Sequence, residues 1–211
     1  MNSIIVANGT LTPTPAIRSL LADADLIIAA DGGAIHLQKL NILPHVIIGD
    51  LDSITRETKQ WVEDEKIPII SHPTRKNQTD TELCIDYAVE QGVTRLTLLG
   101  VTGQRMDHTL SNICLLRRMA DCNIEAKIVD NNNEIYLVTR ELVIQGQKGD
   151  LLSIIPITDQ VSGLSLTGLA YPLTNTSLSM GTSLGISNCF TGSQARVILE
   201  SGVVVVTKSR D

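Results

Sequence analysis

Leu96-Thr97-Leu98-Leu99-Gly100-Val101-Thr102-Gly103-Gln104-Arg105-Met106-Asp107-His108-Thr109-Leu110-Ser111-Asn112 joins two patterns of different period. Its first four residues form a largely apolar run of the kind a buried parallel strand shows. Leu110, Ile113, Cys114 and Arg117 then recur three or four apart, the spacing of one helix face. Two glycines, an arginine, an aspartate and a histidine therefore sit at a strand-to-helix junction. In open α/β sheets, ligands bind at such junctions, outside the carboxyl ends of the strands. Glycine permits close backbone approach there, and a helix start presents unpaired N–H groups to anions. Arg105 is suited to gripping phosphate oxygens with its fork of donors. His108 and Asn112, four apart, share one helix face. A plain βα turn with a capped helix accounts for the same residues, so the junction is weighed together with the others in the chain.

Upstream, the same alternation recurs. Ile4–Ala7 is an apolar run ending at Asn8-Gly9, and Leu26–Ala30 ends at Asp31-Gly32-Gly33. Val46–Ile48 ends at Gly49-Asp50-Leu51-Asp52-Ser53, and Ile67–Ile70 is followed by a loop from Ser71 to Gln78. Helical patterns fall between them, at Pro15–Leu21, Ala34–Leu40, Thr55–Lys66 and Thr79–Gln91, and Glu125–Val129 closes the series. This predicts an α/β domain over residues 1–130, a mostly parallel sheet with helices on both faces. Beyond Asp130-Asn131-Asn132-Asn133 the helical period disappears. Short β-type runs follow at Ile135–Val138, Glu141–Ile144, Leu151–Ile155, Val161–Leu166, Ser183–Ile186, Ala195–Leu199 and Val203–Thr207. Residues 131–211 are expected to form an all-β domain, sandwich-like or barrel-like. Ser201-Gly202 between two apolar runs reads as a hairpin turn.

Bulk composition narrows the function. The chain has 211 residues, 43% of them hydrophobic but only 2% aromatic, so its core is aliphatic. A net charge of −6 argues against nucleic acid or an anionic membrane surface as the main partner. There is no stretch of about 18 uncharged apolar residues, so no membrane span is expected, and no secretory signal is expected from Met1-Asn2-Ser3-Ile4. Cys84, Cys114, Cys122 and Cys189 have no paired spacing and suit reduced thiols of a cytoplasmic protein. Cys84 and Cys114 lie in helical patterns and are expected to fill the core.

The carboxylates carry the chemistry. In an extended chain, residues two apart point the same way, so Asp50 and Asp52 are expected to face one point. Like charges brought together call for a cation, and Mg²⁺ suits a few carboxylates plus phosphate oxygens. Thr79-Asp80-Thr81-Glu82 fits a capping box, with Thr79 as N-cap and Glu82 reaching back; that leaves Asp80 as a candidate third carboxylate. Arg75 and Lys76 suit either phosphate or solvent. Neither the P-loop spacing nor Gly-x-Gly-x-x-Gly is present. His36, His45 and His72 lie in separate elements with no metal-ligand spacing. Because a parallel sheet brings strand ends to one edge, Asp31, Asp50, Asp80 and Asp107, with Gly32, Gly33, Gly100, Gly103 and Arg105, point to a magnesium and polyphosphate site.

Taken in order, Asp31-Gly32-Gly33-Ala34, Gly49-Asp50-Leu51-Asp52-Ser53, Thr79-Asp80 with Glu82, and Gly103-Gln104-Arg105-Met106-Asp107-His108 with Asn112 resemble the thiamine pyrophosphokinase (thiamine diphosphokinase) family. Tyr171-Pro172-Leu173, Gly181-Thr182-Ser183 and Ser187-Asn188 resemble its thiamine-binding part. The resemblance implies transfer of a diphosphoryl group from ATP to the thiamine hydroxyl, with AMP leaving, in a homodimer whose sites lie between subunits. It implies Mg²⁺ on Asp50, Asp52 and Asp80. ATP would meet Asp31, Gly32, Gly33, Thr102, Gly103, Arg105, His108 and Asn112. Either Asp31 or Asp107 would orient nucleotide or hydroxyl, and thiamine would meet Tyr171, Thr182, Ser183, Ser187 and Asn188. Stacking on thiamine would fall to Tyr171 or Phe190. Asn77 stands where many relatives carry an acidic residue. The rival reading is a Mg²⁺-dependent phosphohydrolase using Asp50 and Asp52, since Asp-x-Asp after an apolar strand resembles the nucleophile motif of haloacid-dehalogenase-like phosphatases.

Overall fold

Strands that are apolar on both faces need cover on both faces, and the computed structural model, which describes residues 1–73 and 77–210, supplies it. The chain divides into two compact units, Met1–Asn131 and Asn132–Asp211. The first alternates β1 (Asn2–Val6), α1 (Pro15–Ala22), β2 (Leu26–Ala30), α2 (Gly33–Leu40), β3 (Val46–Gly49), α3 (Arg56–Asp64), β4 (Ile69–Ser71), α4 (Asp80–Glu90), β5 (Arg95–Leu99), α5 (Met106–Asp121) and β6 (Glu125–Val129). Its strands run parallel in the order β6-β5-β1-β2-β3-β4.

The pleat sorts these strands' side chains. Ile4 and Val6, Ile27 and Ala29, and Ile47 form a core with Ile17 and Leu21 of α1, Leu37 of α2 and Val62 of α3. The alternate residues Ile5, Ile28, Ile48 and Leu98 point the other way and are as deeply buried. Helix α4 covers β1, β2 and β3, and α5 packs on β6. Burying each of these aliphatic side chains contributes about 1.5–3 kcal/mol, so the α/β unit is held by aliphatic packing with almost no aromatic help. Threonines cap three helices: Thr14, Thr55 and Thr79 accept backbone N–H groups of Ile17, Thr58 and Glu82.

One helix-level expectation changes. In α5 the buried residues are Asn112, Leu116 and Met119, while Leu110 and Cys114 are exposed. The Leu110–Cys114 spacing was helical, but it marked the wrong face. Cys84, by contrast, is buried in α4.

The second unit is antiparallel throughout. It comprises β7 (Asn133–Val138), β8 (Glu141–Gln145), β9 (Leu151–Pro156), β10 (Gln160–Thr167), β11 (Leu173–Ser179), β12 (Asn188–Cys189), β13 (Gln194–Ile198) and β14 (Val204–Ser209). Strands β12-β9-β14-β7 lie side by side, as do β11-β10-β13-β8. Leu152, Ile154, Val204 and Val206 from the first group meet Val161, Leu164, Leu166, Ala195 and Val197 from the second in one core, as in a sandwich. Three details differ from the sequence reading. Ser201-Gly202 does not close a hairpin: β13 pairs with β10 and β8, and β14 with β7 and β9, so the turn carries the chain between sheets. Ser183–Ile186 is a turn, because its short apolar residues Leu184 and Ile186 stay exposed. The polar run Leu173–Ser179 is the strand in its place, anchored by buried Leu178.

Candidate active site

The strand order reverses direction at β1. From β1 the chain winds outward through β2, β3 and β4, then returns to β5 on the other flank. The loops after β1 and β5 leave a crevice at that point, as the topology of open α/β sheets requires. A cleft of about 610 Å³ lies there, lined from one loop by Asn8, Gly9 and Thr10 and from the other by Gly100 through Arg105. The loops are laced together: Gly9 N–H donates to Gly100 O at 2.6 Å and Thr10 N–H to Thr102 O at 2.8 Å. Glycine is required for this closeness, since a Cβ on Gly9 would lie 2.4 Å from the Gly100 and Thr102 carbonyl oxygens. His36 of α2 sits 2.9 Å from the Gly9 carbonyl through Nε2, and burial lowers its pKa below the usual imidazole value.

Asp31 and Asp80 line one side of the cleft, and Asp50 stands against them. Asp31, Asp50 and Asp80 each bring a carboxylate oxygen within 4.8 Å of the others. Each comes from a different strand-to-helix connection, which is what sheet topology does with residues distant in sequence. Asp31 follows β2 and has a left-handed backbone, φ 44°, with its N–H held by Ile48 O at 2.9 Å. Its side chain is buried, and its Oδ1 has no hydrogen-bond partner among the described residues. A buried carboxylate oxygen without a donor is costly, and a hard divalent cation at that point satisfies it. Three carboxylate donors at this spacing fit such an ion, and Mg²⁺ would complete its shell with water or phosphate oxygens.

Asp52 is not in that group. Leu51 adopts φ 61°, so the chain leaves extended geometry between the two aspartates and the two-residue alternation no longer applies. Asp50 instead accepts the Asp52 N–H at 3.3 Å, and the Asp52 carboxylate takes the Ser53 hydroxyl at 2.9 Å. Asp31 holds the place the sequence reading gave Asp52.

The phosphate-side candidates divide likewise. Asp31, Asp80, Thr102, Gly103, Arg105, His108 and Asn112 line the cleft, whereas Gly32, Gly33, Asp52 and Asp107 do not. Asn112 is buried and donates to Val101 O at 2.8 Å, which fixes the loop before α5. Thr102 donates to Asp130 at 3.3 Å. Arg105 meets Asp107 in two contacts, Nε at 3.2 Å and Nη2 at 2.5 Å. Hydrogen bonding from Arg105 holds the Asp107 carboxyl down at about 2, and Asp107 raises Arg105 in return. A carboxylate that acidic is a poor proton acceptor near neutrality. Sequence reasoning missed Asn8, Thr10, Gln104 and Thr109. Asn8-Gly9 ends its strand as the other junctions do, so the strand-end rule already covered it. Arg75 and Lys76 lie outside the described residues.

The second unit holds the other candidates. Tyr171 is exposed, and Asn188 beneath it is buried, accepting Tyr171 N–H at 2.9 Å and donating to Tyr171 O at 2.7 Å. Thr182 accepts Leu184 N–H at 3.2 Å. Ser187, at φ 54°, donates its N–H to Ser153 at 3.0 Å, and Ser183 accepts Ile186 N–H at 3.2 Å. Phe190 is packed in the core, so only Tyr171 of the expected aromatic pair is open to a ligand.

Residues 17–128 match the family model "Thiamin pyrophosphokinase, catalytic domain", and residues 138–204 match "Thiamin pyrophosphokinase, vitamin B1 binding domain". The chain is 31% identical to the thiamine pyrophosphokinase of Bacillus subtilis, over 98% of each chain. It is 27% identical to thiamine pyrophosphokinase 1 of rice (Oryza sativa subsp. japonica), over 96% of this chain and 85% of that one. The crystal structure of the Bacillus subtilis enzyme superposes with a TM-score of 0.90 over the whole of both chains. That of thiamin pyrophosphokinase from Geobacillus thermodenitrificans gives 0.88 at 29% identity, over 100% of this chain and 98% of that one.

Proposed function

The chain belongs to the thiamin pyrophosphokinase family, and on that premise we propose that it is a thiamine diphosphokinase, moving a diphosphoryl group from ATP to the hydroxyl of thiamine. The hydroxyl oxygen gives up its proton to solvent and forms the new bond to the β-phosphorus, the bond from that phosphorus to the oxygen bridging it to the α-phosphorus breaks, and AMP leaves with the electron pair. The observation that carries this reading is the cluster of Asp31, Asp50 and Asp80 within 4.8 Å, two of whose members, Asp31 and Asp80, line the β1–β5 crevice. Those three residues would hold Mg²⁺, which when bound neutralises charge on the phosphate oxygens.

The protein's own part is positioning and charge. Arg105 presents its guanidinium to the polyphosphate, with one edge held by Asp107 and the remaining donors free to turn on phosphate. His108 and Asn112 face the same cleft from α5. The glycine-laced loops at residues 9–10 and 100–103 form a wall close enough for backbone contact with nucleotide. Asp31 is better placed than Asp107 to orient the reacting groups, because it lines the cleft and Asp107 does not. Thiamine is assigned to Tyr171, Thr182, Ser183, Ser187 and Asn188, with the exposed Tyr171 ring as its stacking surface. We also propose a homodimer, and a cytoplasmic location that the four free cysteines suit. Among the described residues no helix is long and apolar enough to cross a membrane.

The phosphohydrolase alternative has no support in these relatives. Incubation with ATP, Mg²⁺ and thiamine tests the proposal. AMP formation that depends on thiamine is the expected result; phosphate release indifferent to thiamine would overturn it.

A further inference from the structure

The sequence reading gave Glu82 a capping role that the structure does not use. Thr79 caps α4 by accepting Glu82 N–H at 3.2 Å, but the Glu82 carboxylate turns to another helix and accepts Arg118 Nη1 at 2.8 Å. Arg118, on α5, grips Asp86 through Nη2 as well. Asp86 in turn accepts Gln78 Nε2 at 2.8 Å. One guanidinium thus holds two carboxylates a helical turn apart, and one of those carboxylates holds the residue just before the helix cap. Asp80 lies inside this bracket, with Gln78 on one side and Glu82 and Asp86 on the other.

We propose that Arg118 is a positioning residue for the metal site: it clamps the first two turns of α4 to α5 and so fixes Asp80 against Asp31 and Asp50. The inference rests on the magnesium site proposed above. The geometry explains why an arginine is used. A fork of planar donors serves two carboxylates at once, whereas a lysine ammonium is a single point. It also explains why the position is sensitive. Glu82 and Asp86 are four apart on one helix, so without Arg118 they repel, and the strain falls on the turn that carries Asp80. The helix α5 that anchors Arg118 is itself fixed by buried Leu116 and Met119. Arg118 acts through Glu82 and Asp86 and not on the substrate.

Three measurements on the full chain test it. Electron paramagnetic resonance titration of Mn²⁺, in place of Mg²⁺, should show Arg118→Ala binding about five to ten times more weakly than wild type, below the ~10–100-fold typical for groups bonded directly to a ligand. Arg118→Lys should fall between the two. In metal-free protein, amide hydrogen exchange across residues 79–86 should quicken in Arg118→Ala. In the coupled AMP assay, the Mg²⁺ needed for half activity should rise while the KM for thiamine stays at the wild-type value. A folded Arg118→Ala with wild-type Mn²⁺ affinity and unchanged exchange overturns the proposal, even if its melting temperature drops. Should that variant not fold, Glu82→Gln and Arg118→Lys serve: wild-type Mn²⁺ affinity in both overturns it equally. If wild-type protein binds no Mn²⁺ at all, it is the proposed metal site that fails.

Discussion

Replacing Asp31 with Asn separates what folding wants from what the proposed chemistry wants. The change is conservative in shape, and Asn tolerates the left-handed backbone that Asp31 adopts at φ 44°. What changes is charge. Asp31 lies within 4.8 Å of both Asp50 and Asp80, and its Oδ1 is buried without a donor among the described residues. Coulomb repulsion between two unit charges at that separation is about 3 kcal/mol at an effective dielectric near 20. Asp50 and Asp80 are half-buried, so water screens much of this, and removing both repulsions should stabilise the metal-free protein by about 1–2 kcal/mol. For a chain of this size each kcal/mol moves the melting temperature by about 2–4 °C. Thermal unfolding in EDTA should therefore show Asp31→Asn melting above wild type. Adding Mg²⁺ should raise the wild-type melting temperature and leave the variant nearly unmoved, because one ligand is gone. The AMP assay should show the variant nearly inactive. A variant that melts below wild type in EDTA, yet gains as much from Mg²⁺, would refute the reasoning: Asp31 would then be a structural hydrogen-bonding group and not a tolerated liability kept for an ion.

Further outcomes follow from the same geometry. Asp50→Asn should cut turnover by about 100-fold or more while Asp52→Asn keeps most of it; parallel AMP assays on the two variants check this, and equal losses would return Asp52 to the site. Gly49→Ala would place a methyl carbon 2.9 Å from Asp31 Cβ and 3.2 Å from Asp80 Oδ1, so it should cost about 1–3 kcal/mol in thermal unfolding and raise the Mg²⁺ requirement. In the second unit, burial alone would push the Asp150 carboxyl up, but the Gln147 N–H and the Arg210 guanidinium outweigh it and hold it below its usual value. A carboxyl with a depressed folded-state pKa contributes stability above its unfolded value, near pH 4, and that contribution is lost as pH falls through the folded value. Asp150→Asn should thus lower the melting temperature at neutral pH, with the gap to wild type closing below about pH 4.

The α/β unit could be read from sequence because burial on both faces leaves little ambiguity. Runs such as Leu26–Ala30 have no polar residue to hide, and the glycine and aspartate at their ends mark where the chain turns. The β unit resisted where that signal was absent. Leu173–Ser179 is polar at most positions because it is exposed, and only Leu178 reaches the core deeply. Ser183–Ile186 carries the opposite deception, an apolar pair held in an exposed turn. Ser201-Gly202 looked like a hairpin because local sequence specifies a turn but not which sheet each flanking strand joins. Pairing is decided by partners tens of residues away, such as Tyr136 opposite Val206.

The separation of Asp52 from the other carboxylates has a physical location. The strand-end rule gathers Asp31, Asp50 and Asp80 because a parallel sheet aligns its carboxyl edges, and that rule operates at the level of topology. Alternation along a strand operates at the level of single dihedrals, and it ends where the strand ends. Leu51 sits in the left-handed region, a conformation costing a branched aliphatic residue roughly 1–3 kcal/mol, and nothing in its side chain announces that. The compensation lies elsewhere: Leu51 packs against the core beneath α2 and α3, and the turn it makes lets Asp50 accept the Asp52 N–H. A leucine there holds the bend from below, through burial, where a glycine would only permit it. The strained residue thus separates two aspartates that look equivalent on paper, sending one to the carboxylate cluster and the other to Ser53.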